Sequence, residues 1–252
     1  MKHIQQYIEQ FHLLFLDNLG RKLDRRLYAL KGGCNLRFYF KSMRYSEDID
    51  LDVYKIRKDT LWKNVQSILE SKSLNTNLLA RNIKIENISY PKQTEITQRW
   101  KVALTATSSG KNNALHTKIE FSRRGLNGVV LFEPIDTLIS GQYQLPPIIT
   151  CHYDKATAIA QKIIALAERK LTQTRDVFDL YLLLGSSNEL PKIIASQETF
   201  LQAQKNLSSL SFQDFQSQVV AFLTEEYQNQ YSNPEVWQLI VNNVGQALAR
   251  GA

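Results

Sequence analysis

Between Asp48 and Val53 the chain reads Asp-Ile-Asp-Leu-Asp-Val, three acids alternating with three aliphatic residues. Only an extended strand sorts such a run cleanly, because successive side chains point to opposite faces. Asp48, Asp50 and Asp52 are therefore expected on one face, with Ile49, Leu51 and Val53 packed on the other. Three neighbouring carboxylates repel, and each raises the pKa of the next. A fold tolerates this if the face is open to water, and uses it if a divalent cation neutralises the cluster. Mg²⁺ takes oxygen ligands, commonly one or two carboxylates together with substrate phosphates.

Upstream, with fourteen residues between it and Asp48, a short apolar run ends in Gly32-Gly33. The pattern predicts a strand over Leu27–Leu30, then the glycines, then a short helix in "CNLRFYFK". A glycine pair most often marks a turn. Placed before a helix, it also lets backbone approach a ligand, and the helix start offers free N–H groups to phosphate. A nucleoside triphosphate held there would present its α-phosphate to metal at Asp48 and Asp50, as phosphoryl-transfer chemistry requires. A third carboxylate is expected from a neighbouring strand. Glu120 is the candidate, on the polar face of a hairpin predicted from 99–106 and 115–124. The turn-rich "TSSGKNNA" (107–114) forms its loop.

Elsewhere the periodicity predicts helices over 4–19 and 59–72. From about residue 150 it predicts further helices, one capped by Asp154, one capped by Thr174 and ended by Gly185, and others over 197–206, 212–229 and 234–249. The expected fold class is α+β, a mixed sheet with helices followed by a helical bundle. The boundaries are 1–150 and 151–252, the second part closing the nucleotide cleft. The segment "QLPPIITC" (144–151) is the nearest thing to a linker. The 252 residues carry 31 Lys and Arg against 24 Asp and Glu, an excess of seven positive charges that favours polyanionic partners. No run is long and apolar enough to span a membrane, the four histidines are scattered, and Cys34 and Cys151 lack metal or redox spacing. A soluble, cytoplasmic protein is expected.

The stretch "LKGGCNLRFYF…RYSEDIDLDV" resembles the AbiEii/AbiGii toxin family of nucleotidyltransferases. A second motif of that family is matched over 100 residues later. In "QKIIALAERKLTQTRDVFDLYLLL", Lys162 precedes Ala165 and Leu166, and Arg175, Asp176, Asp179 and Leu180 follow. The resemblance implies a nucleotidyltransferase-like sheet and a Mg²⁺-dependent enzyme that is the toxin of a type IV-like toxin–antitoxin or abortive infection system. Such an enzyme moves a nucleoside monophosphate onto RNA, such as tRNA, and is paired with an antitoxin. It implies nucleotide binding by Gly32, Gly33, Cys34, Arg37 and Lys162, and metal binding by Asp48, Asp50 and Glu120. Asp48, Asp50, Lys162 and Asp176 become the catalytic set, and Asp179 takes a structural role. Cys34 stands where the family has Thr or Ser, and a thiol is a weaker phosphate donor than a hydroxyl. Arg37, Lys41 and Arg44, with 122–124 and 168–170, are a candidate basic rim for RNA. Two other readings stay open: transfer to a protein or small molecule, and nucleotide binding without catalysis.

Overall fold

The computed structural model describes residues 4–108, 111–185, 190 and 195–251. The protein is α+β and divides into two compact units. The first comprises Met1–Lys41 and Tyr45–Tyr153; the second comprises Ser42–Arg44 and Asp154–Ala252.

The first unit is built on a mixed sheet. Its strands are β1 (Tyr28–Lys31), β2 (Ile49–Val53), β3 (Ile83–Gln93), β4 (Thr97–Ser108), β5 (Lys111–Ser122), β6 (Val130–Pro134) and β7 (Ile149–Tyr153). Their order is β3-β4-β5-β2-β1-β7-β6. β2 runs antiparallel to β1 and parallel to β5, which puts the acidic strand at the middle of the sheet. Helix α1 (Gln5–Lys22) is buried along most of its length and packs on α3 (Lys58–Leu69) and α4 (Lys72–Leu79). Ile49, Leu51, Trp100, Val102, Leu104, Ile119 and Phe121 share one core with it. Fully burying each such side chain is worth ~1.5–3 kcal/mol. Trp100 also places its indole between Trp62 and Phe121 and donates Nε1–H to Gln66.

Several elements depart from expectation. The hairpin strands extend inward, so most of 107–114 is strand rather than loop, with residues 109 and 110 outside the described residues. Helix α4, strands β3 and β6 and the short helix α5 (Thr137–Gln142) have no counterpart in the predicted layout. Part of the expected linker is strand β7, which pairs with β6 and β1.

The second unit is helical: α6 (Lys155–Glu168), α7 (Thr174–Leu184), α8 (Gln197–Leu207), α9 (Phe212–Gln218), α10 (Glu225–Tyr231) and α11 (Pro234–Gly251). Asp154 caps α6 by accepting from the Thr157 N–H. Gly185 ends α7 in a left-handed conformation. Thr174 is the first helical residue of α7 rather than its cap, because its N–H and hydroxyl are both taken by the Gln218 side chain. The helix expected over 212–229 is broken in the middle. There the Leu223 backbone bridges to Arg44 and the Thr224 N–H donates to the Met43 carbonyl, so a short extended pairing displaces helical bonds.

Ser42–Arg44 thus folds as part of the helical unit. The Arg44 guanidinium grips both oxygens of Asp179, at 3.1 and 3.0 Å, with both side chains buried. Arg44, expected in the basic rim, is thus buried with its guanidinium on the Asp179 carboxylate. Removing one member of a buried pair strands the other. Arg44→Ala should lower the unfolding free energy by ~3–5 kcal/mol, read as a drop in denaturation midpoint.

Candidate active site

Strand β1 ends at Lys31, and α2 (Gly32–Tyr39) begins at once. Gly32 has φ +65°, a left-handed backbone that glycine adopts without steric penalty. A methyl group there would lie 3.0 Å from Asp50 Oδ2. The glycine bend and the middle aspartate of β2 therefore meet. Lys31 makes no side-chain cap to α2, which leaves the N–H groups of the first turn without that partner.

Sheet register gathers the remaining acids. Asp50 lies opposite Glu120 of β5 and Lys31 of β1, so these side chains share a face. Asp48 lies just before β2. Its Oδ1 accepts from the Lys118 backbone N–H at 3.0 Å and its Oδ2 from Lys118 Nζ at 2.5 Å. Glu120 is held by its cross-strand partner Arg99. Asp52 accepts from Lys31 Nζ at 2.6 Å and from the Tyr153 hydroxyl at 2.8 Å, which makes the third aspartate a structural anchor. Among the described residues no cluster of three or more His, Cys, Asp or Glu side chains is arranged to hold a metal.

Two expected nucleotide ligands have interior partners instead. The Arg37 guanidinium bonds Glu9 at 2.6 Å and lies over the Tyr45 ring, a buried pair within the first unit. Its shift is the balance of burial, which pushes the pKa down, and Glu9, which raises it further. Cys34 is fully buried; its Sγ donates to the Asp48 carbonyl at 3.3 Å, and burial pushes the thiol pKa far up. Only its backbone remains in the first turn of α2. The hydroxyl lost relative to the family pattern is therefore at a position whose side chain turns inward. Behind Asp48 lies His12 of α1, bonded to Thr117 of β5. Burial drives its pKa down to about 4 against a smaller upward pull from Asp48.

Lys162 and Asp176 come together in the second unit. Lys162 Nζ lies 2.9 Å from Asp176 and 2.6 Å from Asp179, and Arg169 reaches the other Asp176 oxygen at 2.8 Å. Burial works against the Lys162 charge, but the two carboxylates outweigh it and hold its pKa above the ordinary value. Burial likewise disfavours the Asp179 carboxylate, while Arg44 and Lys162 draw its pKa down. With Arg44, three cations face two carboxylates, leaving one positive charge in excess. The sequence reading made Lys162 a phosphate contact and Asp176 a catalytic carboxylate; it did not pair the two with each other, and it did not foresee Arg44 as the partner of Asp179. Nothing in the local pattern of "SMRYS" signals burial.

A family model described as "Nucleotidyl transferase AbiEii toxin, Type IV TA system" matches residues 14–241. The chain belongs to the AbiEii nucleotidyl transferase toxin family. Membership makes this protein a nucleotidyltransferase and the toxin component of a type IV toxin–antitoxin system, with a nucleoside triphosphate as substrate and an antitoxin as partner. Two solved structures from Helicobacter pylori share the fold. JHP933 aligns with 99% of this chain and 92% of its own, at 20% identity and a TM-score of 0.61. A protein provisionally named a nucleotidyltransferase aligns with 99% and 95%, at 19% identity and a TM-score of 0.63. Among curated proteins the sequence finds no match. Among the described residues of this AbiEii-family protein, no helix is long and apolar enough to cross a membrane.

Gly32→Ala must both strain a left-handed backbone, by ~1–2 kcal/mol, and push on Asp50. A fall in nucleotidyl transfer larger than the fall in stability is expected, measured as turnover beside thermal midpoint. His12 sets a pH dependence. An unfolded histidine gains its proton near pH 6.5 and the native one only near 4. Between these values the unfolded chain binds more protons, so stability declines as pH falls, by about 3 kcal/mol across the window. Denaturant titrations at stepped pH should show this slope in the wild type and not in His12→Gln.

Proposed function

We propose that the protein transfers a nucleoside monophosphate from a triphosphate to a hydroxyl of RNA, with tRNA as the favoured acceptor, in a Mg²⁺-dependent reaction. The acceptor oxygen forms a bond to the α-phosphorus as the bond from that phosphorus to the bridging oxygen breaks. Pyrophosphate leaves, and the acceptor proton passes to solvent. The observation that carries this reading is the meeting of Gly32 with Asp50, where a side chain as small as methyl would touch the carboxylate. A ligand phosphate on the first turn of α2 then lies beside the acidic strand.

Asp48, Asp50 and Glu120 offer carboxylate oxygens, the hard donors that Mg²⁺ takes, and the strand register puts Asp50 opposite Glu120. Asp48 and Asp50 would hold Mg²⁺, which when bound neutralises triphosphate charge and acidifies the acceptor hydroxyl. Glu120, opposite Asp50, is the proposed third carboxylate, and its bond to Arg99 fixes its direction. Lys118 neutralises Asp48 and must move off Oδ2 before that oxygen can take another cation. Backbone N–H groups at Gly32, Gly33 and Cys34 would receive phosphate oxygens. The family motif gives Lys162 a phosphate contact and Asp176 a catalytic part. Their mutual ion pair makes each depend on the other. The excess of positive charge over the whole chain supports a polyanionic acceptor.

Purified protein incubated with Mg²⁺, each labelled triphosphate in turn and total RNA should label an RNA band. Asp48→Asn and Asp50→Asn should each reduce labelling by at least ~10³-fold while the fold persists, as expected for loss of electrostatic stabilisation of the transferring phosphoryl group. Labelling that survives both, or label on protein with none on RNA, would refute the reading.

A further inference from the structure

The β2 ladder begins at Ile49, paired with Ile119 of β5, so it does not hold the backbone of Asp48. That backbone is pinned by side chains. The Glu47 carbonyl accepts from Thr117 Oγ1 at 2.7 Å. The Asp48 carbonyl accepts from Ser46 Oγ at 2.8 Å and from Cys34 Sγ at 3.3 Å. His12 stands behind both contacts, with Nε2 2.7 Å from Thr117 Oγ1 and Nδ1 3.6 Å from Cys34 Sγ. His12, Cys34 and Thr117 are all buried.

The polarity of this chain is forced. A threonine hydroxyl has one proton, and here it goes to the Glu47 carbonyl. The 2.7 Å contact with His12 must then be Nε2–H donating to Oγ1, which leaves Nδ1 bare and facing the thiol. That neutral tautomer bonds Thr117 on both sides, and the single thiol proton of Cys34 is left to serve either the Asp48 carbonyl or Nδ1. Thr117 occupies a row otherwise made of Leu115, Ile119 and Phe121, where a valine would fill the same space. A buried hydroxyl there is favourable only because it is bonded on both sides.

We propose that His12 and Thr117 are positioning residues for nucleotidyl transfer: their hydrogen-bonded chain fixes the Glu47–Asp48 peptide and so aims the Asp48 carboxylate. Cys34 is its third member, which explains how a thiol serves at a position expected to hold a hydroxyl. The inference rests on the proposed role of Asp48 in binding the metal nucleotide.

The test compares Thr117→Val with Thr117→Ser, using turnover, KM for the triphosphate, Mn²⁺ affinity by electron paramagnetic resonance, thermal midpoint and the ¹⁵N spectrum of the His12 imidazole. Removing a group that orients a metal ligand is expected to weaken Mn²⁺ binding or turnover by ~10–100-fold, so T117V should lose that much. At saturating Mn²⁺ the KM of T117V for the triphosphate should stay near wild type, and T117S should stay near wild type in every readout. Wild type and T117S should show the Nε2–H tautomer, and T117V a mixture. A folded T117V with wild-type turnover and Mn²⁺ affinity would overturn the proposal, as would an Nδ1–H tautomer in the wild type. Should T117V not fold, His12→Gln, which keeps a donor, and His12→Leu, which does not, give the same comparison. Absence of transfer by the wild type would refute the proposed function instead, and the tautomer and Mn²⁺ measurements would still decide this one.

Discussion

Like charges crowded on one sheet face must be offset if the face is to form. At 4 Å two carboxylates repel by ~1–4 kcal/mol over the range from bulk water to a protein surface. The sheet meets this with basic side chains from neighbouring strands. Lys118 answers Asp48, Lys31 answers Asp52, and Arg99 answers Glu120. The compensation is graded. Both carboxylates are bonded on both oxygens, but Asp52 is nearly enclosed, whereas Asp48 is partly open and its counter-ion is half exposed. A flexible ammonium is a partner that can leave, and the tyrosine hydroxyl on Asp52 is not. The acidic run therefore includes one carboxylate, Asp52, that holds the sheet, and another, Asp48, whose ammonium partner is half exposed.

A different solution operates in the helical unit. There the charges are inside, and the desolvation penalty is met by close multiple pairing rather than by water. Lys162 lies between two aspartates, each of which has a guanidinium on its far side. Such a cluster is intolerant of single losses, since each removal leaves an uncompensated neighbour. The interruption between α9 and α10 belongs to the same arrangement: the extended pairing at Leu223 is with Arg44, the residue that grips Asp179.

Much of this was legible because periodicity reports burial. The alternation at 48–53 and at 115–121 gave the strand faces correctly, and the left-handed stop at Gly185 and the Asp154 cap follow from local chemistry alone. What escaped was set by distant partners. Thr174 reads as a cap until Gln218 occupies its N–H. The run 212–229 reads as one helix until residues 43 and 44 pair with its middle. Strand β3 carries a register shift between Ile85 and Asn87 and contains Pro91, which erase the period-two signal. In the site, Gly32 and Asp50 were legible as neighbours from the motif. An arginine on a short helix near a phosphate loop looks like a ligand, and the acceptor that holds Arg37, Glu9, lies 28 residues earlier, beyond the reach of local pattern.

The discontinuity of the second unit has a bearing on how the chain is made. Arg44 and Asp179 are 135 positions apart. At ~5–20 residues per second, a ribosome needs roughly 7 to 27 s to span that interval. Throughout that interval Ser42–Arg44 has been synthesised without its helical partners, while β1 precedes it and β2 follows within a few residues. The helical unit cannot be completed by the C-terminal half alone, and a nascent chain stopped anywhere before α7 lacks the carboxylate that Arg44 requires. For a toxin, this withholds the finished molecule until the later part of the chain has been translated.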